Sequence, residues 1–79
     1  MEIKVDKFSE ENGEKLVGLA VTYNGKRLIA DKKVPVIEGR APSEYVADAL
    51  EAAQAEIDAW KADMDVVGLS FDPQSGTLT

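Results

Sequence analysis

The first third of the chain alternates between apolar and polar positions, and this pattern predicts β-strands. Residues 2–8 (EIKVDKF) place Ile3 and Val5 on one face of the first strand. Residues 15–23 (KLVGLAVTY) are apolar or small on both faces. Because a strand that is apolar on both faces is usually covered on both sides, we expect this second strand in the interior of the sheet.

Asn-Gly pairs follow each of these two strands, at residues 12–13 and 24–25. A two-residue type I′ turn needs positive φ at both positions, and Asn-Gly suits this best, so the second pair predicts a tight hairpin. The first pair lies in a polar stretch that fits a turn or a hairpin loop. A third strand then runs to about Pro35. Its lysines and proline are typical of an exposed edge.

A helical pattern begins at Pro42 or Ser43, where proline is preorganised and serine can cap the first turn. Apolar residues then recur at helical spacing and form one stripe. Its members are Val46, Ala49, Leu50, Ala53, Ile57, Trp60 and Met64. We expect Trp60 and Met64 to be large core residues at one end of the sheet.

Residues 66–71 (VVGLSF) are nearly all apolar and predict a last strand. A helical connection usually leads to a parallel neighbour, so we expect this strand to run parallel to the first. The predicted fold class is α+β, with order β-β-β-α-β. It consists of an antiparallel three-strand meander plus one parallel strand, with a single helix packed on one sheet face. Residues 1–79 are expected to form a single domain, with 72–79 as a frayed tail.

The net charge of −6 is concentrated in one segment. Residues 42–65 carry seven acids and one base, whereas the rest of the chain balances at eight acids and eight bases. This distribution argues against nonspecific binding to nucleic acid, which needs a basic face. An acidic helix face permits docking on a basic protein surface, and it also suits a solvated face that keeps the chain soluble. Whether Lys26, Arg27, Lys32, Lys33 and Arg40 form a functional basic strip stays open.

The chain has no histidine and no cysteine, which removes His- or Cys-dependent catalytic arrangements and most zinc sites. Its glycine spacing fits no phosphate-binding loop. No run approaches the ~20 apolar residues of a membrane-spanning helix, and no signal sequence is recognisable. We therefore expect a cytoplasmic protein without a cofactor. Carboxylates are the remaining candidates for chemistry.

Three acids lie on elements whose order resembles the beginning of a ribonuclease H-like domain. They are Asp6 on the first strand, Glu44 near the start of the helix and Asp72 after the last strand. The resemblance implies a two-metal site for phosphodiester hydrolysis, because Mg²⁺ prefers oxygen ligands. Asp6 is followed by Lys7 and Phe8, where that family has a small-residue turn. Glu44 is favoured by the helix dipole in any case.

The same elements resemble antitoxins of the HicB type, in which a truncated ribonuclease H-like sheet and one helix bind a toxin without catalysis. The helix segment SEYVADALEAAQAEIDAW carries this resemblance. It implies a non-enzymatic inhibitor or antitoxin-like protein. The DNA-binding segment usual in that type is not visible.

The sequence therefore predicts a small acidic protein-binding module that has no catalytic activity, no metal and no membrane or nucleic-acid partner. Its expected partner-binding residues are Glu44, Asp48, Glu51 and Asp58. A minimal or remnant metal-dependent nuclease using Asp6, Glu44 and Asp72 is one alternative, and a phage or mobile-element mimic of nucleic acid is another. One helix covers only one sheet face, so a homodimer through the other face or an edge is also expected. Candidates for that second face are Leu16, Ala20, Phe8 and Ile29.

Overall fold

The computed structural model describes residues 1–79 and shows an α+β arrangement of three strands, one long helix and a small second sheet. The elements are β1 (Glu2–Glu11), β2 (Glu14–Tyr23), β3 (Lys26–Pro35), α1 (Pro42–Val66), β4 (Phe71–Asp72) and β5 (Thr77–Leu78). The strands β1, β2 and β3 form an antiparallel meander with β2 in the centre. The predicted fold class, the meander and the interior position of β2 are confirmed.

Both Asn-Gly pairs form two-residue turns between the long strands. The φ angles are 53° and 78° at Asn12 and Gly13, and 51° and 73° at Asn24 and Gly25. These are the left-handed values that a type I′ hairpin requires. Since only two residues leave the ladder at each turn, β1 extends to Glu11, three residues further than its alternating pattern predicted.

The helix α1 lies across β2 and β3 and buries one apolar stripe against them. The core consists of Val17, Leu19, Val21, Ala30, Val34, Tyr45, Ala49, Ala53 and Ile57. Small side chains at Ala49 and Ala53 let the helix approach the sheet closely. Trp60 and Met64, expected as core anchors, are only half-buried, whereas Tyr45 is a core residue that the stripe did not include.

The first turn of α1 is stabilised by its own residues. Pro42 is the first helical residue and Ala41 is the N-cap, so Ser43 does not cap the helix. Instead the backbone N–H of Ala41 donates to Glu44 Oε1 at 3.3 Å. Tyr45 Oη donates to the carbonyl of Ile37 at 2.8 Å and accepts from its N–H at 3.1 Å. These bonds tie the loop before α1 to the helix.

A β-bulge at Asp6 changes the face on which β1 side chains lie. The pairing register shifts between Val5 and Lys7. As a result Phe8 pairs with Val17 on the helix side of the sheet, and its ring contacts Tyr45 with centroids 6.4 Å apart. The assignment of Phe8 to the second face was wrong, because strict alternation has no place for an inserted residue.

The predicted parallel strand at 66–71 is also wrong. The helix continues through Val66, and Gly68 with φ of 94° turns the chain. Only Phe71 and Asp72 are in strand conformation, and they pair antiparallel with Thr77 and Leu78 in a separate hairpin. A short apolar run fits a helix end as well as a strand, so its composition could not decide between them.

This hairpin includes the expected tail, residues 72–79, and projects beyond the end of the sheet. The molecule measures 58 × 19 × 17 Å. A helix of 25 residues is about 37 Å long, so α1 accounts for much of the long axis and the hairpin extends it. The apolar side chains of this hairpin therefore lie away from the core.

Candidate binding surfaces

Four carboxylates follow one side of α1 and form what we call the acidic face. They are Glu44, Asp48, Glu51 and Asp58. At 100° per residue all four lie within about 40° of one direction, opposite the buried residues Ala53 and Ile57. Asp48 is half-buried and the other three are exposed. The sequence prediction placed these residues on one outward face, and the helix presents them so.

Arg40 binds the N-terminal half of the acidic face. Its Nη2 lies 2.9 Å from Asp48 Oδ2 and donates to the carbonyl of Glu44 at 3.3 Å. Its Nε lies 3.7 Å from Glu44 Oε2, and the guanidinium stacks over the Tyr45 ring at 5.7 Å. Glu44 and Asp48 are thus partly neutralised within the chain. The bland interpretation of Glu44, a carboxylate at a helix N-terminus, accounts for all of its contacts.

The C-terminal half of the acidic face is open to a partner. Glu51 is exposed and takes part in no ion pair, and Asp58 accepts one hydrogen bond, from Gln54 Nε2 at 2.9 Å. Carboxylates in this state can accept charged hydrogen bonds from arginine or lysine of another protein. Glu51 and Asp58 are the members of the face best placed to do so.

The five basic residues do not form one strip, because they are distributed over different surfaces. Lys32 binds Glu56 of the helix at 3.1 Å, and Arg40 binds the acidic face. Arg27 and Lys33 are on the sheet face away from α1, and Lys26 follows the turn at the end of β2. Neighbouring residues along β3 alternate between the two faces, which separates residues that are adjacent in sequence.

The three acids of the nuclease alternative are not brought together. Asp6 lies at the bulge on the sheet, Glu44 in the first turn of α1, and Asp72 in the hairpin beyond its last turn. Glu44 and Asp72 are therefore separated by nearly the whole helix, about 33 Å. No group of three or more acidic residues is arranged to hold a metal ion. Asp72 accepts from the N–H of Gln74 at 2.9 Å, which lowers the pKa of its carboxyl.

The sheet face away from α1 carries Leu16, Ala20 and Ile29, as predicted for a second face. Leu16 and Ala20 are at least half-buried by their neighbours, whereas Ile29 is 45% exposed. Across the centre of this face, Lys7 donates to Asp31 Oδ2 at 2.9 Å. That hydrogen bond raises the pKa of Lys7. The face therefore combines a narrow apolar centre with charged margins.

A second uncovered apolar surface lies on the helix side of β1. Ile3, Val5 and Phe8 form a row there, and α1 packs over β2 and β3 rather than over this strand. Val5 is 47% and Phe8 39% exposed. The sequence reasoning missed this row because it assumed that one helix would cover the whole face. The bulge, which brings Phe8 beside Val5, has no clear signal in the sequence.

The largest exposed apolar side chains are at the C-terminal end. Val66, Val67, Leu69, Phe71 and Leu78 are between 46% and 61% exposed. Exposed apolar residues that follow one another in this way are typical of surfaces that contact another macromolecule. Their apolar composition was recognised in the sequence but was assigned to an interior strand.

The protein surface has no enclosed pocket, so its candidate sites are all open faces. The helix α1 is too polar to cross a membrane. No protein-family model matches the chain, and comparisons with curated proteins and with solved structures give no match.

Proposed function

We propose that this chain is a small non-catalytic module that binds a protein with a basic surface through its acidic face. The observation that carries the proposal is the placement of the four carboxylates on α1, directly opposite its buried stripe. The inner side of the helix is fixed against the sheet by Ala49, Ala53 and Ile57, which are fully buried. The outer carboxylates are therefore held on a rigid element, which lowers the entropic cost of binding.

The charge of the face supports a basic partner. Residues 42–65 carry a net charge of −6, and only one base, Lys61, lies among them. Such a concentration of one sign steers association with an oppositely charged surface. An inhibitor or antitoxin-like role is the form of this proposal that we favour, because masking a basic surface on a toxin or enzyme needs no chemistry of its own.

The proposal is tested by affinity capture from cells followed by a binding titration with the captured protein. The test variant combines Glu44→Gln, Asp48→Asn, Glu51→Gln and Asp58→Asn. The matched control combines Glu10→Gln, Glu11→Gln, Glu14→Gln and Glu38→Gln, which removes the same charge from other surfaces. We expect the test variant to lose at least tenfold in affinity, and the control to lose much less.

Equal losses in the two variants would mean that only net charge matters and would contradict a docking face. The wild-type affinity should also fall as salt is raised, because exposed charges are screened. A competition experiment distinguishes the nucleic-acid mimic, which shares the same carboxylates. If double-stranded DNA displaces the chain from the captured partner, the chain occupies a nucleic-acid site. If DNA has no effect, the partner surface serves another purpose.

A further inference from the structure

Two uncovered apolar surfaces of this chain match each other in size. We call the first the β1 row, consisting of Ile3, Val5 and Phe8 on the helix side of β1. We call the second the C-terminal apolar segment, residues 66–71. Each leaves large apolar side chains exposed, at a cost of about 25 cal/mol per Å² of apolar area that could be buried. Both surfaces gain when one covers the other.

The two surfaces also match in length. Ile3 and Phe8 are five residues apart, as are the ends of the C-terminal apolar segment, so each spans about 17 Å when extended. Moreover, β1 is an edge strand whose outer backbone groups have no partner in the sheet. An extended segment laid beside β1 could satisfy these backbone groups while its side chains cover Val5 and Phe8.

Charge at the end of the β1 row favours the same occupant. Lys15 Nζ lies 5.4 Å from the centroid of the Phe8 ring. After Lys61 the chain contains three aspartates and no base. The C-terminal apolar segment would therefore bring only carboxylates toward this lysine, among them Asp72 at its end. Like-charge repulsion would disfavour two C-terminal segments packing on each other instead.

Within one chain the two surfaces remain apart, because the C-terminal hairpin makes no substantial contact with the sheet. From these matches we infer that the C-terminal apolar segment of one copy packs along the β1 row of a second copy, reciprocally, in a symmetric dimer. Each copy then donates one segment and receives one. This interface lies outside the acidic face, so its failure would leave the proposed function intact.

The area is sufficient for a stable dimer. The surface of 5360 Å² gives about 70 Å² per residue. Residues 3–8 and 66–72 together would then contribute about 900 Å² from each copy, against about 600–1,000 Å² per partner in specific complexes. One segment on one row would supply only half of this, which is why the exchange is reciprocal.

Disulfide trapping tests the contact directly, since the chain has no native cysteine. Val5→Cys and Leu69→Cys are made in separate chains and mixed under mild oxidation. We expect the mixed disulfide between these two chains to exceed either homodimer. Ile29→Cys is the matched control: Ile29 is equally exposed but lies on the other sheet face, so it should not cross-link to Leu69→Cys above background.

Sedimentation of the cysteine-free chain gives the second readout. We expect a concentration-dependent dimer whose Kd rises more than tenfold in Phe71→Asp and in Val5→Lys, and is unchanged in Ile29→Lys. All three positions are exposed, and circular dichroism checks that each variant folds. A monomer at every concentration would overturn the inference. So would a dimer lost only in Ile29→Lys, or a Val5–Leu69 disulfide formed within a single doubly substituted chain.

Discussion

Tyr23 donates a 2.6 Å hydrogen bond from its hydroxyl to Asp65 Oδ1, which joins the end of β2 to the last turns of α1. The Trp60 ring lies edge-on to Tyr23, with centroids 6.3 Å apart. The bond to Asp65 is the main cause of the raised pKa of Tyr23. This contact fixes the end of the helix from which the C-terminal hairpin projects.

The Tyr23–Asp65 bond should make stability depend on alkaline pH. Because the pKa of Tyr23 is raised on folding, its contribution is fully present below the unfolded value of about 10 and is lost as pH rises through the folded value. We expect Asp65→Asn to lower the pKa of Tyr23, measured by tyrosinate absorbance, and to flatten the loss of thermal stability above pH 10. Asp63→Asn, two residues away, is the control, and an equal shift in it would contradict the assignment.

Gly18 should not tolerate a side chain, because β1 and β3 approach it closely on the open sheet face. A Cβ at this position would lie 2.8 Å from Lys7 Cβ and 2.9 Å from Asp31 Oδ1, and would also contact Asp6. The Lys7 Cβ cannot move without the backbone of β1. We expect Gly18→Ala to cost about 1–3 kcal/mol in the free energy of unfolding, measured by urea denaturation. A neutral effect would mean that β1 yields easily at the bulge.

The stability of the helix–sheet contact should depend strongly on Ile57. This side chain is fully buried among Leu19, Val21 and the small residues of α1. We expect Ile57→Ala to cost about 2–5 kcal/mol, whereas Leu69→Ala, at an exposed position, should cost less than about 0.5 kcal/mol in dilute monomer. Equal costs would show that the projecting segment belongs to the core in solution.

Arg40 should lower the affinity of the acidic face for a basic partner. It occupies Glu44 and Asp48, and Arg40→Gln would release both carboxylates. We expect a loss of about 0.3–1 kcal/mol in stability, since this ion pair is partly exposed, together with tighter binding of the captured partner. Arg27→Gln removes the same charge at a residue with no ion pair and serves as the control. If both variants bind alike, Arg40 does not restrain the face.

The sequence predicted the sheet and the helix well because their local signals agree with the tertiary structure. The Asn-Gly turns need positive φ, β2 is apolar on both faces, and Pro42 opens a long apolar stripe. These features depend on neighbours within a few residues. The acidic face follows from the same helical period, so its four carboxylates were also identified without coordinates.

The remaining features depend on contacts between distant residues. The bulge at Asp6 moved Phe8 to the helix side, and Tyr45 became a core residue through its contact with Phe8 and its bonds to Ile37. Neither has a periodic signal. The segment 66–71 was assigned to the sheet because apolar composition shows that a segment seeks burial but not which surface covers it.

The central claim, that the chain binds a protein partner through its acidic face, is tested most directly by backbone NMR. The labelled chain is titrated with the captured partner and amide shifts are followed along α1. We predict the largest shifts around Glu51 and Asp58, where no cation of the chain itself competes. Shifts confined to β1 and β3, with α1 unaffected, would contradict the claim and assign binding to the open sheet face.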